Sequence, residues 1–275
     1  MSALYVPFLT EEIALRVENA SRDYMTAQLT ALREWNGNVY DVRIQQFGEA
    51  TAFLVRNAPN ALFNRVMGLG PRNEGDIAAL AAWYHAADRK CRLDIVPSRA
   101  SAVLSRRLTR HGWYQSCFYS ALYGVPRRAS ERASARSRAV VRAVQRADIG
   151  VFARLYVESF GLPATMRAVL EDSVRALYGN PSTRCYLASI DDTPAAVAIL
   201  FLARGVGYLA TSATLPRFRG RGCQTVLLEQ RMADAAAHCD LVVGHTGILT
   251  ESQRNMEKAG LRLAYTKALW TPYVG

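Results

Sequence analysis

The stretch that most constrains this chain runs from Tyr208 to Ala237, YLATSATLPRFRGRGCQTVLLEQRMADAAA. Tyr208 to Thr214 is a short apolar and β-branched run and predicts one buried strand. Leu215 to Gly222 reads as a turn that holds Pro216, three arginines (Arg217, Arg219, Arg221) and two glycines. From Cys223 to Ala237 the chain is rich in Ala, Leu, Glu and Gln, with Val226, Leu227, Gln230 and Met232 at helical spacing. Strand, Arg/Gly turn and helix in that order build an anion site. The first N–H groups of a helix have no partner within it and sit at its positive end. Gly220 and Gly222 let a phosphate approach the backbone closely, and the arginines add charge.

The segment RFRGRGCQ resembles the pyrophosphate loop (R/Q-x-x-G-x-G/A) of the GNAT superfamily of acyl-CoA-dependent N-acyltransferases. Arg219, Gly220, Arg221, Gly222 and Cys223 fill its first five places, and Gln224 stands where the family usually has Gly or Ala. The preceding strand, the following helix and the tail SQRNMEKAGLRLAYT (Ser252 to Thr266) fall in the family's order, so the resemblance covers about residues 138 to 272. A Walker A loop is excluded, because Thr225 lacks the lysine that motif requires before it. The dinucleotide fingerprint is excluded by its missing spaced glycines. The plain alternative is an arginine-decorated turn before an ordinary helix.

A chain of 275 residues, 50% hydrophobic, suits two domains of roughly 100–150 residues each. No apolar run approaches the ~20 residues of a membrane helix. The start, MSALYVPFLTEE, lacks the basic opening and long apolar core of a signal peptide. Five scattered cysteines form no CxxC pair, which favours reduced thiols in a cytoplasm and offers no metal framework. The formal net charge is +11 with only three lysines, so the excess is nearly all arginine. That excess either attracts phosphates, from coenzyme A or nucleic acid, or reflects arginine-rich coding.

In chain order, residues 1 to 36 read as helices. Tyr40 to Phe47 and Thr51 to Val55 read as a hairpin about Gly48-Glu49, and Asn64 to Gly70 as a short apolar run. A helix over Asp76 to Ala87, a strand over Arg92 to Val96, a helix over Ser101 to Arg110 and a final strand or pair over Gly112 to Leu122 follow. FNRVMGLG, a helix, DIVP, a helix and HGWY together resemble the first half of bacterial tandem acyltransferases, a GNAT relative without its coenzyme loop. Trp83 reads more readily as core than as a substrate contact, and a functional role is the weaker reading for Trp83, Tyr84 and His85 alike. The polar, arginine-bearing segment 126–137 reads as a linker, with no aromatic residue among its arginines for base stacking. Residues 138–275 then give strand, two helices, three strands, helix, strand, helix and strand, the order expected of a GNAT domain. The expectation is therefore an α/β (α+β) chain of tandem GNAT-like domains. Each would have a mixed, mostly antiparallel sheet flanked by helices: 1–125 degenerate, 126–137 linker, 138–275 acyltransferase.

What the resemblance implies for chemistry is uneven. Backbone groups of Ser212, Ala213 and Thr214 fall where the family pairs the pantetheine arm of acetyl-CoA or coenzyme A, and Arg219 to Thr225 where it holds the pyrophosphate; Asn255 is a further coenzyme candidate. Side-chain catalysts are less clear. The late-helix tyrosine that many members use as acid falls on Met256, which cannot donate, and an asparagine common at that helix's start falls on Leu249. The strand offers no glutamate base. His245 is a candidate base, since its ordinary pKa lies near neutrality; Tyr265 is a candidate acid or else a buried, satisfied tyrosine, and Ser252 is a nearby polar catalytic candidate. Glu158 and Glu171 are weaker candidates. The reading is an N-acetyltransferase using acetyl-CoA as cosubstrate, acting on a small amine or amino-acid-like acceptor. It needs no metal or membrane, shows no nucleic-acid motif, and would work as a monomer or homodimer. The competing reading is a non-catalytic acyl-CoA-binding or sensing protein.

Overall fold

A computed structural model describes residues 6–59, 61–127 and 138–273; the expected linker lies, over 128–137, outside the described residues. Helix α1 (Glu11–Glu34) begins behind Thr10, whose hydroxyl accepts from the Ile13 N–H at 3.2 Å. It ends where Asn36, Gly37 and Asn38 take positive φ values of 48°, 66° and 58°. The predicted hairpin is β1 (Val42–Phe47) and β2 (Ala50–Val55), turned at Gly48 with φ 54°. Then come β3 (Arg65–Met67), α2 (Ile77–Ala86) and β4 (Arg92–Ile95). Helix α3 (Ala102–Arg110), capped by the Ser101 hydroxyl at 2.9 Å from the Leu104 N–H, leads into β5 (Trp113–Gly124).

The second half opens with β6 (Ala139–Ala143), α4 (Ile149–Phe160), stopped by Gly161 at φ 61°, and α5 (Met166–Leu177). Strands β7 (Thr183–Ile190), β8 (Thr193–Ala203), β9 (Val206–Tyr208) and β10 (Ser212–Thr214) precede α6 (Cys223–Ala235). The chain closes with β11 (Leu241–Gly247), α7 (Glu251–Lys258) and β12 (Arg262–Pro272).

Two compact units divide these elements. One joins residues up to Tyr24 with Ala121–Ala264; the other joins Met25–Ser120 with the chain from Tyr265. The boundaries fall inside α1, β5 and β12. In the unit built on Met25–Ser120 the strand order is β1-β2-β3-β4-β12-β5. β1, β2 and β3 pair antiparallel, β3 and β4 parallel, and β12 joins β4 antiparallel with Leu269 opposite Asp94. Leu54, Val66 and Leu93 from its strands bury against Ile77 and Leu80 of α2, Leu104 and Leu108 of α3, and Trp113. Trp83 packs onto this core and meets the rings of Tyr84 and Phe47 edge-on, which accounts for the aromatic run on α2 as packing.

The other unit carries β6-β7-β8-β9-β11, antiparallel up to β9 and parallel from β9 to β11, with β10 paired to β8 alone among the described residues. Mixed, mostly antiparallel sheets flanked by helices are the expected fold class. One expected strand is broken in two. The run Tyr208 to Thr214 is not a single strand: Tyr208 opposes Phe201 and Ser212 opposes Ala198, so four steps on one strand match three on the other. The extra residue is a β-bulge. It forms where the Ala210 N–H turns back onto the Tyr208 carbonyl at 2.8 Å, before the Ile199 N–H regains the ladder at the Thr211 carbonyl. Apolar patterning cannot reveal this, because both registers keep the run buried.

Candidate functional site

The bulge opens the sheet. β11 pairs with β9 only over Leu241–Val243, and the last bond of that pairing runs from the Leu209 N–H to the Val243 carbonyl at 2.8 Å. Beyond it β10 stays on β8 while β11 continues to Gly247. Bonds from Ile199 to Thr211 and from Leu215 to Ala195 fix the alternation of β10. Thr211, Ala213 and Leu215 turn their backbone groups to β8; Ser212 and Thr214 turn theirs to the open side.

The chain leaves β10 through Pro216–Phe218 and reaches α6 through two glycines in the left-handed region, Gly220 at φ 73° and Gly222 at φ 82°. Gly222 is the N-cap and supplies no side-chain acceptor; the first helical bond runs from the Val226 N–H to the Gly222 carbonyl at 3.2 Å. The N–H groups of Cys223, Gln224 and Thr225 therefore precede any intrahelical acceptor. A Cβ placed at Gly220 would meet nothing within 4 Å, so the loop's outer face is clear for a phosphate.

The arginines divide their work. Arg219 bonds inward, donating to the Ser159 carbonyl at 2.9 Å and the Thr214 carbonyl at 3.4 Å, and so braces the loop on α4 and β10. Arg217 and Arg221 flank the Phe218 ring, with guanidinium carbons 5.1 and 5.6 Å from its centroid. Gln224, the departure from the family pattern, folds back onto β10. It accepts from the Ser212 hydroxyl at 2.7 Å and donates to the Thr214 hydroxyl at 3.3 Å, which keeps its bulk off the loop's outer face. Cys223 is buried, and burial pushes its thiol pKa up. Ala213 is buried on β10 and Thr225 is exposed on the first turn.

Arg231 is a residue the sequence reading passed over. It is buried at 1% exposure on α6, and its guanidinium donates to the carbonyls of Leu227 (3.1 Å), Ala210 (3.1 Å) and Ile199 (3.4 Å) and to the Ser212 hydroxyl (3.3 Å). Burial pulls its pKa down to about 10. A chain of polar contacts thus runs Arg231–Ser212–Gln224–Thr214, from beneath the bulge to the first turn of α6. The readable signal was its position: Leu227, Leu228, Arg231, Met232 and Ala235 form the buried stripe of α6, with one charge inside it.

Among the candidate catalysts, His245 lies within β11, half-buried, its ring 5.6 Å from that of Tyr208. Ser252 and Asn255 are half-buried on α7, which Thr250 caps by accepting from the Gln253 N–H at 3.3 Å. Met256, where an acid tyrosine would stand, is buried, and a Cβ on Gly244 would come within 2.8 Å of its sulfur. Leu249 is exposed at φ 58°. Tyr265 belongs to the other unit, on β12. Glu158 and Glu171 pair with Arg154 and Arg175 of their own helices. Among the described residues no group of His, Cys, Asp and Glu could hold a metal ion, and no helix is long and apolar enough to cross a membrane.

The acetyltransferase (GNAT) domain model matches residues 122–246, from the end of β5 to within β11. This part of the chain is a GNAT domain. The GNAT family's chemistry is acyl transfer that depends on acyl-CoA, with acetyl-CoA as the donor in its acetyltransferases. No curated protein matches the sequence. Among solved structures, a GCN5-related N-acetyltransferase from Kribbella flavida superposes with a TM-score of 0.60 at 15% identity, covering 90% of this chain and 96% of its own. An acetyltransferase of the GNAT family from Novosphingobium aromaticivorans gives 0.54 at 16% identity, covering 90% and 97%. A tandem GNAT protein from the clavulanic acid biosynthesis pathway gives 0.53 at 16% identity, covering 82% and 78%. At these identities the likeness speaks for the fold, and it spans both halves of the chain, as a tandem GNAT arrangement requires.

Proposed function

We propose that this protein transfers an acyl group, acetyl first among them, from an acyl-CoA thioester directly to the amine of a small, amino-acid-like acceptor. The observation that carries this reading is the one-residue bulge between β9 and β10, which turns backbone groups of Ser212 and Thr214 to an open strand edge just ahead of a glycine loop and helix N-terminus. The reaction forms an N–C bond and breaks a C–S bond; the amine proton leaves and the thiolate takes one up. It needs positioning, a base and stabilisation of the developing charges.

In this reading β10 holds the pantetheine arm through the backbone of Ser212 and Thr214; Ala213, whose backbone groups face β8, takes no part, against the sequence expectation. The N–H groups at the start of α6, with Gly220, Gly222 and Arg221, receive the pyrophosphate, while Arg219 braces them and Asn255 borders the arm. His245 takes the amine proton and Ser252 serves the leaving thiolate; Tyr265, in the other unit, carries no step here. Residues 1–125 are then a GNAT-like half without a coenzyme loop.

Calorimetry with acetyl-CoA, against a pantetheine thioester lacking the pyrophosphate and 3′-phosphate, tests the loop. Binding that needs the pyrophosphate is expected, and equal binding of both would overturn the assignment. A screen of amines for thiol release follows. The buried Met256 in place of an acid favours a second reading, an acyl-CoA sensor, and tight binding without thiol release from any amine would decide for it.

A further inference from the structure

A second concentration of positive charge lies in the unit built on Met25–Ser120. Arg65 of β3 and Arg92 of β4 oppose each other in parallel register. Asp94 is two residues beyond Arg92, and Lys267 is two before Leu269, which opposes Asp94. Strand alternation puts Arg65, Arg92, Asp94 and Lys267 on one face of the sheet and Val66, Leu93 and Trp270 on the other, where they join the core.

Asp94 is buried and its Oδ2 accepts from the Lys267 ammonium at 2.6 Å. Its Oδ1 faces Arg65 Nε at 3.6 Å and Arg92 Nε at 3.5 Å, so one carboxylate is shared by three cations. Both Nε atoms are buried and make no hydrogen bond among the described residues. Arg92 also lies over the Tyr119 ring at 5.7 Å. Like charges directly opposite on neighbouring strands destabilise a sheet, and Lys267 already engages the carboxylate. The two arginines keep 21% and 32% of their side chains exposed, and their terminal Nη groups have no acceptor among the described residues.

We propose that Arg65 and Arg92 form an oxyanion-binding site that takes a phosphate or carboxylate group of a small molecule between their guanidinium forks. Asp94 Oδ1 faces both guanidiniums and the Tyr119 ring lies against that of Arg92, which reduces the side-chain freedom left to lose on binding. Guanidinium forks match such groups with paired, charge-assisted bonds. The bound charge relieves the repulsion between the paired arginines.

The test is calorimetry of the full chain with inorganic phosphate and, in parallel, succinate, on wild type, Arg65→Met/Arg92→Met, Arg65→Lys/Arg92→Lys and Gly222→Glu. A phosphate-only response assigns the site to phosphoryl ligands, and a succinate-only response to carboxylates. Expected is binding that survives Gly222→Glu, falls at least about tenfold in the lysine variant, which keeps charge but loses the fork, and vanishes in the methionine variant. Binding lost in Gly222→Glu and kept in the methionine variant would place the anion at the α6 loop and overturn the proposal. No binding of either anion to wild type would also overturn it. If the methionine variant does not fold, the lysine variant decides, and wild-type affinity there counts against the site.

Discussion

Arg231 and Ala210 are joined by a 3.1 Å hydrogen bond from the guanidinium to the carbonyl, and that carbonyl lies in the bulge between β9 and β10. The strand therefore interrupts its ladder over a donor supplied by the helix beneath it. Arg231→Met keeps an unbranched apolar stem and removes the donors, leaving the Ala210 and Ile199 carbonyls buried without them. The cost is about 1–3 kcal/mol per unpaired group, partly offset by relief of a buried charge. A modest fall in melting temperature with a fall of about tenfold or more in acetyl-CoA affinity is expected. Wild-type affinity by calorimetry would show that the bulge holds without it.

Gly222→Glu should remove acetyl-CoA binding. The position has φ 82°, which side chains other than glycine's rarely adopt, and the new carboxylate would face incoming phosphates. Repulsion of several kcal/mol corresponds to at least about a hundredfold loss. Arg219→Ala should weaken binding only about three- to tenfold, because its bonds run to the Ser159 and Thr214 carbonyls and the backbone donors stay. The ranking of the two variants is the check; the reverse order would move the phosphate site onto the arginine.

Gly207→Ala tests the seating of α6 on the sheet. A Cβ there would lie 2.9 Å from the Ala235 Cβ, a short side chain that cannot swing aside. Overpacking should cost about 1–3 kcal/mol in denaturant unfolding. An unchanged midpoint would mean that the helix shifts freely.

Asp148 offers a pH test. Arg142 donates to both its oxygens, at 2.5 and 2.8 Å, and the Gln145 N–H adds a third bond at 2.8 Å. Those bonds, Arg142's first, hold its pKa below the ordinary carboxylate value. A depressed native pKa means that the unfolded chain binds the proton more readily. The contribution is full above about pH 4 and is lost as pH falls through the lower native value. Asp148→Asn should be less stable than wild type at neutral pH, and the gap should close in acid. A gap independent of pH would assign the loss to packing.

The loop before α6 was legible because glycine announces itself: Gly220 and Gly222 sit where φ is positive. Helix ends were legible for equally local reasons, as at Ser101, whose hydroxyl caps α3. The bulge was not, since Tyr208–Thr214 reads as one β-run and its break depends on Val243, Ile199 and Arg231, all distant in sequence. Nor was the end of β11: Gly244 and Gly247 look like turn residues, yet Gly244 makes room for Met256 of α7. The inward bonds of Arg219 were hidden too, because an arginine in a phosphate loop suggests a ligand before it suggests a brace.

The two units are not two lengths of chain. β4 takes its partner from the last strand, through Leu269 on Asp94, while the first turns of α1 belong with residues 121–264. Cutting between 125 and 138 would yield a first fragment whose β4 has lost a neighbour and shows a bare edge, the kind of surface on which chains aggregate. Dissecting this protein into halves therefore calls for circular permutation or grafted terminal segments, and insolubility of a simple truncation would say nothing about which half binds what.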